Sequence, residues 1–166
     1  MSKFVGKQTN TIPINDVIKN NELLILLHEN RISHLTSVQA QAIYKKLFFH
    51  QNIFVSSPSG SGKTLIGILA IANILTKFPT VAIYLVPYKS LAQEKEEYFN
   101  RFFQSQNIRA QAFTSDNPDA ISTIDARTII ITTYEKCDAL LRIKHPILQK
   151  TKCIIIDEIH EIGLGE

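Results

Sequence analysis

The chain has 166 residues, 45% of them apolar and 20% charged, with a formal net charge of +3. That length suits one domain with a real core, and the balance excludes a disordered, collagen-like or disulfide-scaffold chain. The mild positive charge permits contact with nucleic acid without demanding it.

The first ten residues, MSKFVGKQTN, lack the apolar run of a secretory signal. Residues 12–29 set Ile14, Val17, Ile18, Leu23, Leu24, Leu26 and Leu27 at helical spacing, which predicts a helical N-terminal extension over 1–34. A second helix is predicted to begin at Thr36, where Thr36-Ser37-Val38-Gln39 has the form of a capping box. From Asn52 onward short β-branched runs alternate with helical patterns. The order is IFVSS, a helix over 63–77, VAIYLV, a helix over 90–103, IRAQAF, TIIITT, a helix over 135–142 and CIIID. This alternation predicts an α/β domain over 35–166, with a parallel sheet covered by helices on both faces. TIIITT and CIIID are nearly continuous apolar runs, as buried parallel strands require. The one extended loop is 114–126, with SDNPD turn chemistry.

The most apolar stretch, 65–75, is broken by Gly67 and Asn73 and is well short of the ~20 residues a bilayer needs. Cys137 and Cys153 form no CxxC pair and read as reduced core thiols. A cytoplasmic location is expected, or a nuclear one in a eukaryote, with no membrane partner.

Residues 57–64 read SPSGSGKT, after an apolar run and at the start of an apolar helix. That context predicts a phosphate-binding loop made of Ser57, Pro58, Ser59, Gly60, Ser61, Gly62, Lys63 and Thr64. Gly60 and Gly62 let backbone N–H groups turn inward without a Cβ in the way. The helix N-terminus adds partial positive charge. Lys63 would reach the β- and γ-phosphates of ATP, and the Thr64 hydroxyl would ligate Mg²⁺. The first position of the strict pattern is Ser57 where glycine is usual.

Further along, CIIIDEIH at 153–160 delivers Asp157 and Glu158 at the carboxyl end of an apolar run, where α/β sheets bind ligands. Asp157 suits Mg²⁺, and Glu158 suits a general base that polarises the attacking water. The same residues would also serve as an acidic N-cap and first helical turn.

SGSGKT and DEIH together resemble the DExH-box helicases of superfamily two, in the branch of archaeal repair helicases and exosome-associated RNA helicases. Three more segments agree in order: LTSVQAQAI at 35–43, LVPYKSLAQEK at 85–95 and TTYEKCDALLR at 132–142. The resemblance implies a P-loop RecA-like sheet and ATP hydrolysis coupled to translocation on single-stranded DNA or RNA, DNA slightly favoured. It also implies that Gln39 reads the adenine edge, a role that coexists with the capping box. His160 would sense nucleotide state. For nucleic acid it points to Pro87, Lys89 and Ser90, to Thr132 and Thr133, and to Arg142. Residues 136–152 carry Lys136, Arg142, Lys144, Lys150 and Lys152 against Glu135 and Asp138, a basic stretch that is also readable as a solvated face. Tyr88 and Tyr134 beside these loops either stack on a base or simply pack. Tyr98, Phe99, Phe102 and Phe103 at helical spacing read as core.

The sequence ends at Glu166, before the family's next motif and its second RecA-like domain. The resemblance therefore implies an incomplete first domain whose sheet lacks one internal strand between the 53–56 and 154–157 runs. The expected sheet has five strands, either closed over that position or gapped there. Arginine fingers from a second domain are worth on the order of 10³–10⁵ in rate, so this chain alone is expected to hydrolyse ATP very slowly and to unwind nothing. Two rival readings share the phosphate loop. One is an ATPase switch without a nucleic-acid partner, which has no reason to carry the 85–95 and 132–142 segments. The other is a nucleotide- or nucleic-acid-binding module without turnover, against which intact Lys63, Asp157 and Glu158 argue.

Overall fold

Short-range capping shapes the beginning of the chain. The computed structural model describes residues 11–45, 47–48, 52–114 and 126–161, so the first ten residues and most of the predicted 114–126 loop lie outside the described part. Strand β1 (Ile12–Pro13) pairs antiparallel with β2 (His34–Leu35), Ile12 opposite Leu35. Between them lie α1 (Ile14–Val17) and α2 (Asn21–Glu29). The continuous helical stretch expected over 12–29 is therefore two helices. Ile18 takes an extended backbone, and the Asn20 side chain accepts from the N–H groups of Glu22 and Leu23 to start a new helix. A good N-cap competes successfully with helical continuity. The apolar spacing still marks the core, for Ile14, Ile18, Leu23, Leu26 and Leu27 are all buried. Helix α3 (Ser37–Tyr44) begins at the predicted Thr36 cap, and α4 (Lys63–Leu75) follows the glycine-rich segment.

The chain divides into two compact units, one ending at Leu69 and the other beginning at Ala70. In the second, β3 (Val81–Val86), α5 (Lys89–Phe102), β4 (Arg109–Phe113), β5 (Thr128–Thr133), α6 (Tyr134–Arg142) and β6 (Thr151–Ile156) follow the predicted alternation. A short 3-10 turn, Pro146–Lys150, leads into β6, and another, Ile159–Glu161, follows it. All pairings within this four-stranded sheet are parallel, in the order β4-β5-β3-β6.

The sheet has four strands where five were expected. Residues 52–58 hold no regular structure, and Phe54 is 75% exposed. β-Branched composition favours extended backbone, but a strand exists only through a ladder, and the ladders of this sheet run among β3, β4, β5 and β6 alone. With no strand over 53–56, β6 stands at one edge.

Both faces of the central strands are covered, as parallel sheets require. On one face Tyr84 of β3 meets Phe99 of α5 edge to face, ring centroids 5.0 Å apart. On the other, Val81, Ile83 and Leu85 join Phe113 and Ile130 against Cys137 and Leu140 of α6. Phe102 and Phe103 are buried too, so Phe99, Phe102 and Phe103 of the aromatic run are core as read, whereas Tyr98 is 37% exposed at its margin. Asn100 of α5 brackets Ala110 with two hydrogen bonds of 2.9 Å, occupying part of the outer edge of β4. Both cysteines are free, Cys137 buried and Cys153 half-buried. Among the described residues no helix is long and apolar enough to cross a membrane.

Candidate functional site

In the first unit the glycine-rich loop is shaped by its two glycines. Gly60 and Gly62 have φ of +75 and +85, left-handed backbone that glycine alone adopts cheaply. A Cβ on Gly60 would meet nothing within 4 Å, whereas one on Gly62 would lie 2.2 Å from Gln39 Nε2. A side chain at Gly62 would thus have to displace the Gln39 amide as well as adopt left-handed backbone. Gln39 is buried; its Oε1 accepts from Thr36 N–H at 2.8 Å, and its Nε2 donates to the Gly62 carbonyl at 3.0 Å. The Thr36 hydroxyl donates to the Ser61 carbonyl at 3.2 Å. The capping box of α3 and the tie to the loop are therefore one structure, and the amide keeps one N–H and one lone pair for a further group.

Ser57 and Ser61 share a hydroxyl–hydroxyl hydrogen bond of 2.6 Å, a role glycine at position 57 could not fill. Lys63 Nζ donates to the carbonyls of Ser57 and Pro58, at 2.8 and 3.2 Å, which folds the ammonium over its own loop. Pro58 and Ser59 are exposed, and Thr64 is half-buried in the first turn of α4. A positively charged, glycine-opened loop at a helix N-terminus suits an anion of several oxygens.

In the second unit the backbone N–H of Asp157 donates to the Leu85 carbonyl at 3.0 Å, carrying the β6 ladder one residue further. Its Oδ2 accepts from Tyr84 Oη at 2.7 Å and faces Lys95 Nζ at 3.9 Å, while Oδ1 accepts from Glu158 N–H at 3.1 Å. The Asp157 carbonyl accepts from the Tyr134 hydroxyl. Burial, and then the charge of Asp157, push the Tyr134 phenol up to about 12, so it stays a donor at neutral pH. Glu158 holds a left-handed backbone, φ 49, a conformation that costs a non-glycine residue on the order of 1 kcal/mol. It is held there by the Asp157 carboxylate.

Beyond it, His160 Nδ1 lies 3.4 Å from Glu158 Oε2, and His160 Nε2 lies 3.3 Å from Glu161 Oε1. Tyr88 Oη donates to Glu161 Oε2 at 2.9 Å. Sequence reasoning missed Tyr84, Lys95 and Glu161. The available signal was a tyrosine inside an otherwise aliphatic strand, because a buried phenol needs a partner for its hydroxyl.

The expected nucleic-acid residues divide into two groups. Pro87, Lys89 and Ser90 lie where β3 passes into α5, with Lys89 and Ser90 exposed. Thr132 does not fit its expected role: it is fully buried, and its hydroxyl donates to the Phe113 carbonyl at 2.7 Å. Inside a sheet covered on both faces a hydroxyl must be satisfied locally, which turns it away from any ligand. Thr133 is buried and caps α6 by accepting from Lys136 N–H. Arg142 is exposed and pairs with Asp138 one turn earlier, at 2.6 Å. In the basic stretch Lys136 lies over the Phe113 ring and Lys152 over Phe78, at 4.7 and 4.5 Å from the centroids. Register places Val86 beside Thr133, and Leu85 bonds Asp157, so the carboxyl ends of β5, β3 and β6 form one rim.

Among the described residues no group of three or more His, Cys, Asp or Glu side chains is placed to cage a metal ion.

The sequence profile described as DEAD/DEAH box helicase matches residues 36–165. The chain is 36% identical over 138 residues to an ATP-dependent DNA helicase Hel308 of Pyrococcus horikoshii, covering 83% of this chain and 19% of that protein. A Hel308 of Thermococcus kodakarensis is 32% identical over 152 residues, covering 92% of this chain and 13% of its own length. An activating signal cointegrator 1 complex subunit 3 of Gallus gallus is 31% identical over 137 residues, 80% of this chain and 6% of that protein. The chain thus spans under a fifth of these relatives. Among solved structures, a DUF1998 helicase MrfA bound to DNA and AMPPNP superposes with a TM-score of 0.75 at 24% identity, over 93% of this chain and 23% of that one. This likeness bears on the fold.

Proposed function

The chain belongs to the DEAD/DEAH box helicase family, and from that premise we propose that it is the ATP-binding domain of a helicase that moves on single-stranded nucleic acid, DNA more than RNA. The observation that carries the nucleotide reading is the loop itself: two left-handed glycines, a lysine ammonium folded over it, and a buried glutamine bonded to Gly62. Lys63 would leave the loop carbonyls for the β- and γ-phosphates, and backbone N–H groups of 59–64 would line the remaining oxygens. The spare N–H and lone pair of Gln39 match the donor–acceptor edge of adenine.

The hydroxyl of Thr64 and the carboxylate of Asp157 are hard oxygen donors that fit Mg²⁺, which would supply charge neutralisation at the phosphates. Tyr84 and Glu158 N–H orient the Asp157 carboxylate. Glu158 would take a proton from the attacking water. Pro87, Lys89, Ser90 and Arg142 would contact successive phosphates of one strand, which fixes position without reading sequence. The preference for DNA is supported by the relatives named as DNA helicases. Rapid turnover would require an arginine from a second domain, worth on the order of 10³–10⁵ in rate.

The test compares wild type, Lys63→Ala and Glu158→Gln for binding of a fluorescent ATP analogue and of single-stranded DNA and RNA at several salt concentrations. Losing the lysine's charged hydrogen bonds, about 1.5–3 kcal/mol, should weaken nucleotide about tenfold or more. Glu158→Gln should bind nucleotide as wild type does while abolishing hydrolysis. Unchanged nucleotide affinity in Lys63→Ala overturns the assignment.

A further inference from the structure

Glu158 is not held by its own backbone alone. Its carboxylate lies against His160, which lies against Glu161, whose far oxygen accepts from the Tyr88 hydroxyl. Tyr88 sits between Pro87 and Lys89, where β3 enters α5, and is 58% exposed. The four side chains form a continuous polar chain from the residue assigned as general base to the loop assigned to nucleic-acid phosphates, across a sequence separation of 73 residues at its last link. The second candidate route, Tyr134 to the Asp157 carbonyl, ends on backbone that β6 already fixes. A cavity of about 420 Å³ lined by Phe78, Thr80, Lys150 and Lys152 lies at the opposite ends of the strands, away from both assignments.

We propose that Tyr88 and Glu161 are positioning residues that hold Glu158 back through His160 until nucleic acid reaches the 87–90 loop. The inference rests on the roles proposed above for Glu158 and that loop. Its chemistry is an exchange of hydrogen-bond acceptor. A phenol donates one hydrogen bond, here to the Glu161 carboxylate. A strand phosphate arriving at the loop offers a competing anionic acceptor and repels Glu161. Once the Tyr88 hydroxyl turns to the phosphate, Glu161 Oε2 loses its donor, and the carboxylate draws the His160 imidazole toward itself. Glu158, whose side chain is already 39% exposed, is then free of the imidazole and can orient toward the attacking water. No bond is made or broken except hydrogen bonds, and a coupling of this kind is ordinarily worth about 5- to 150-fold.

The two ends of the chain make opposite predictions. Tyr88→Phe frees Glu161 permanently, so ATP turnover without nucleic acid should rise about fivefold or more and the stimulation by single-stranded DNA should fall toward one, with KM for ATP unchanged. Glu161→Gln leaves His160 with Glu158 as its only carboxylate, so basal turnover should not rise and stimulation should be lost. A merely structural role would lower both rates together and move KM. Wild-type rates and stimulation in Tyr88→Phe overturn the proposal.

A second measurement needs no turnover. The chain has five histidines, and the ring resonances of His160, assigned by a His160→Asn variant, should shift in ligand-free Tyr88→Phe while the others stay. Added oligo(dT) should shift the same resonances in wild type and not in Tyr88→Phe. Unmoved His160 signals in ligand-free Tyr88→Phe overturn the polar chain itself. Wild type that binds neither nucleotide nor oligo(dT) overturns instead the function on which it rests.

Discussion

At the scale of single residues, the two loop glycines differ in why they are glycine. Both have left-handed backbone, but only Gly62 faces a neighbour, Gln39 Nε2, at a distance no Cβ tolerates. Gly60→Ala should therefore cost only the conformational penalty, about 1–2 kcal/mol. Gly62→Ala should cost that plus the displaced Gln39 hydrogen bond, about 1 kcal/mol more, and should weaken nucleotide through the tilted amide. Urea unfolding of both variants checks the order; equal losses would mean that Gln39 moves aside freely. Tyr134 offers a pH signature. Its pKa, raised from 10.0 to about 12 by burial first and the Asp157 charge second, means that the folded chain keeps this proton longer than the unfolded one. Stability is unaffected below about pH 10 and should fall as pH rises from there to about 12. Tyr134→Phe should flatten that fall when urea midpoints at pH 9 and 11 are compared.

At the scale of elements, α3 is held at its start by the same groups that hold the loop. Thr36→Ala removes an N-cap, about 1 kcal/mol, and also the hydroxyl on the Ser61 carbonyl. It should lower the urea midpoint and nucleotide affinity together, whereas Asn20→Ala, an N-cap of α2, should lower only the midpoint. This pairing also explains what could be read in advance. The Thr36 box, the glycine loop, and strands β3, β5 and β6 with the helices α5 and α6 are specified by neighbours within a few positions, so spacing alone reveals them. The break between α1 and α2 was hidden because the periodic leucines pass over Asn20 without interruption, and only the cap chemistry marks it. Residues 53–56 have the composition of a strand, but a ladder depends on what comes alongside, which composition does not carry. Tyr84 and Tyr88 reach Asp157 and Glu161 across 73 positions each. No local pattern encodes such a meeting, and it is there that the acidic segment acquires its partners.

At the scale of the whole molecule, the sheet is buried unevenly, and the difference should be measurable. The central strands β3 and β5 are buried along their full length, while β6 alternates half-buried and exposed residues at the sheet's edge. Ile154 and Ile156 are 53% and 45% exposed on that strand, and Ile159 beyond it is 44% exposed. An edge with unpaired backbone groups and bare isoleucines is the feature by which β-sheets associate wrongly. Isoleucines that lie in water contribute little to folding, so Ile154→Lys should change the unfolding free energy by no more than about 0.5 kcal/mol. Ile83→Ala, at a fully buried position of β3, should cost about 2–5 kcal/mol. The charge on the edge should nevertheless reduce concentration-dependent light scattering, because lysine on an edge strand disfavours a second strand alongside. A large stability loss in Ile154→Lys would mean that this isoleucine packs against another part of the chain in solution. Unchanged scattering with wild-type stability would place the association elsewhere than the β6 edge.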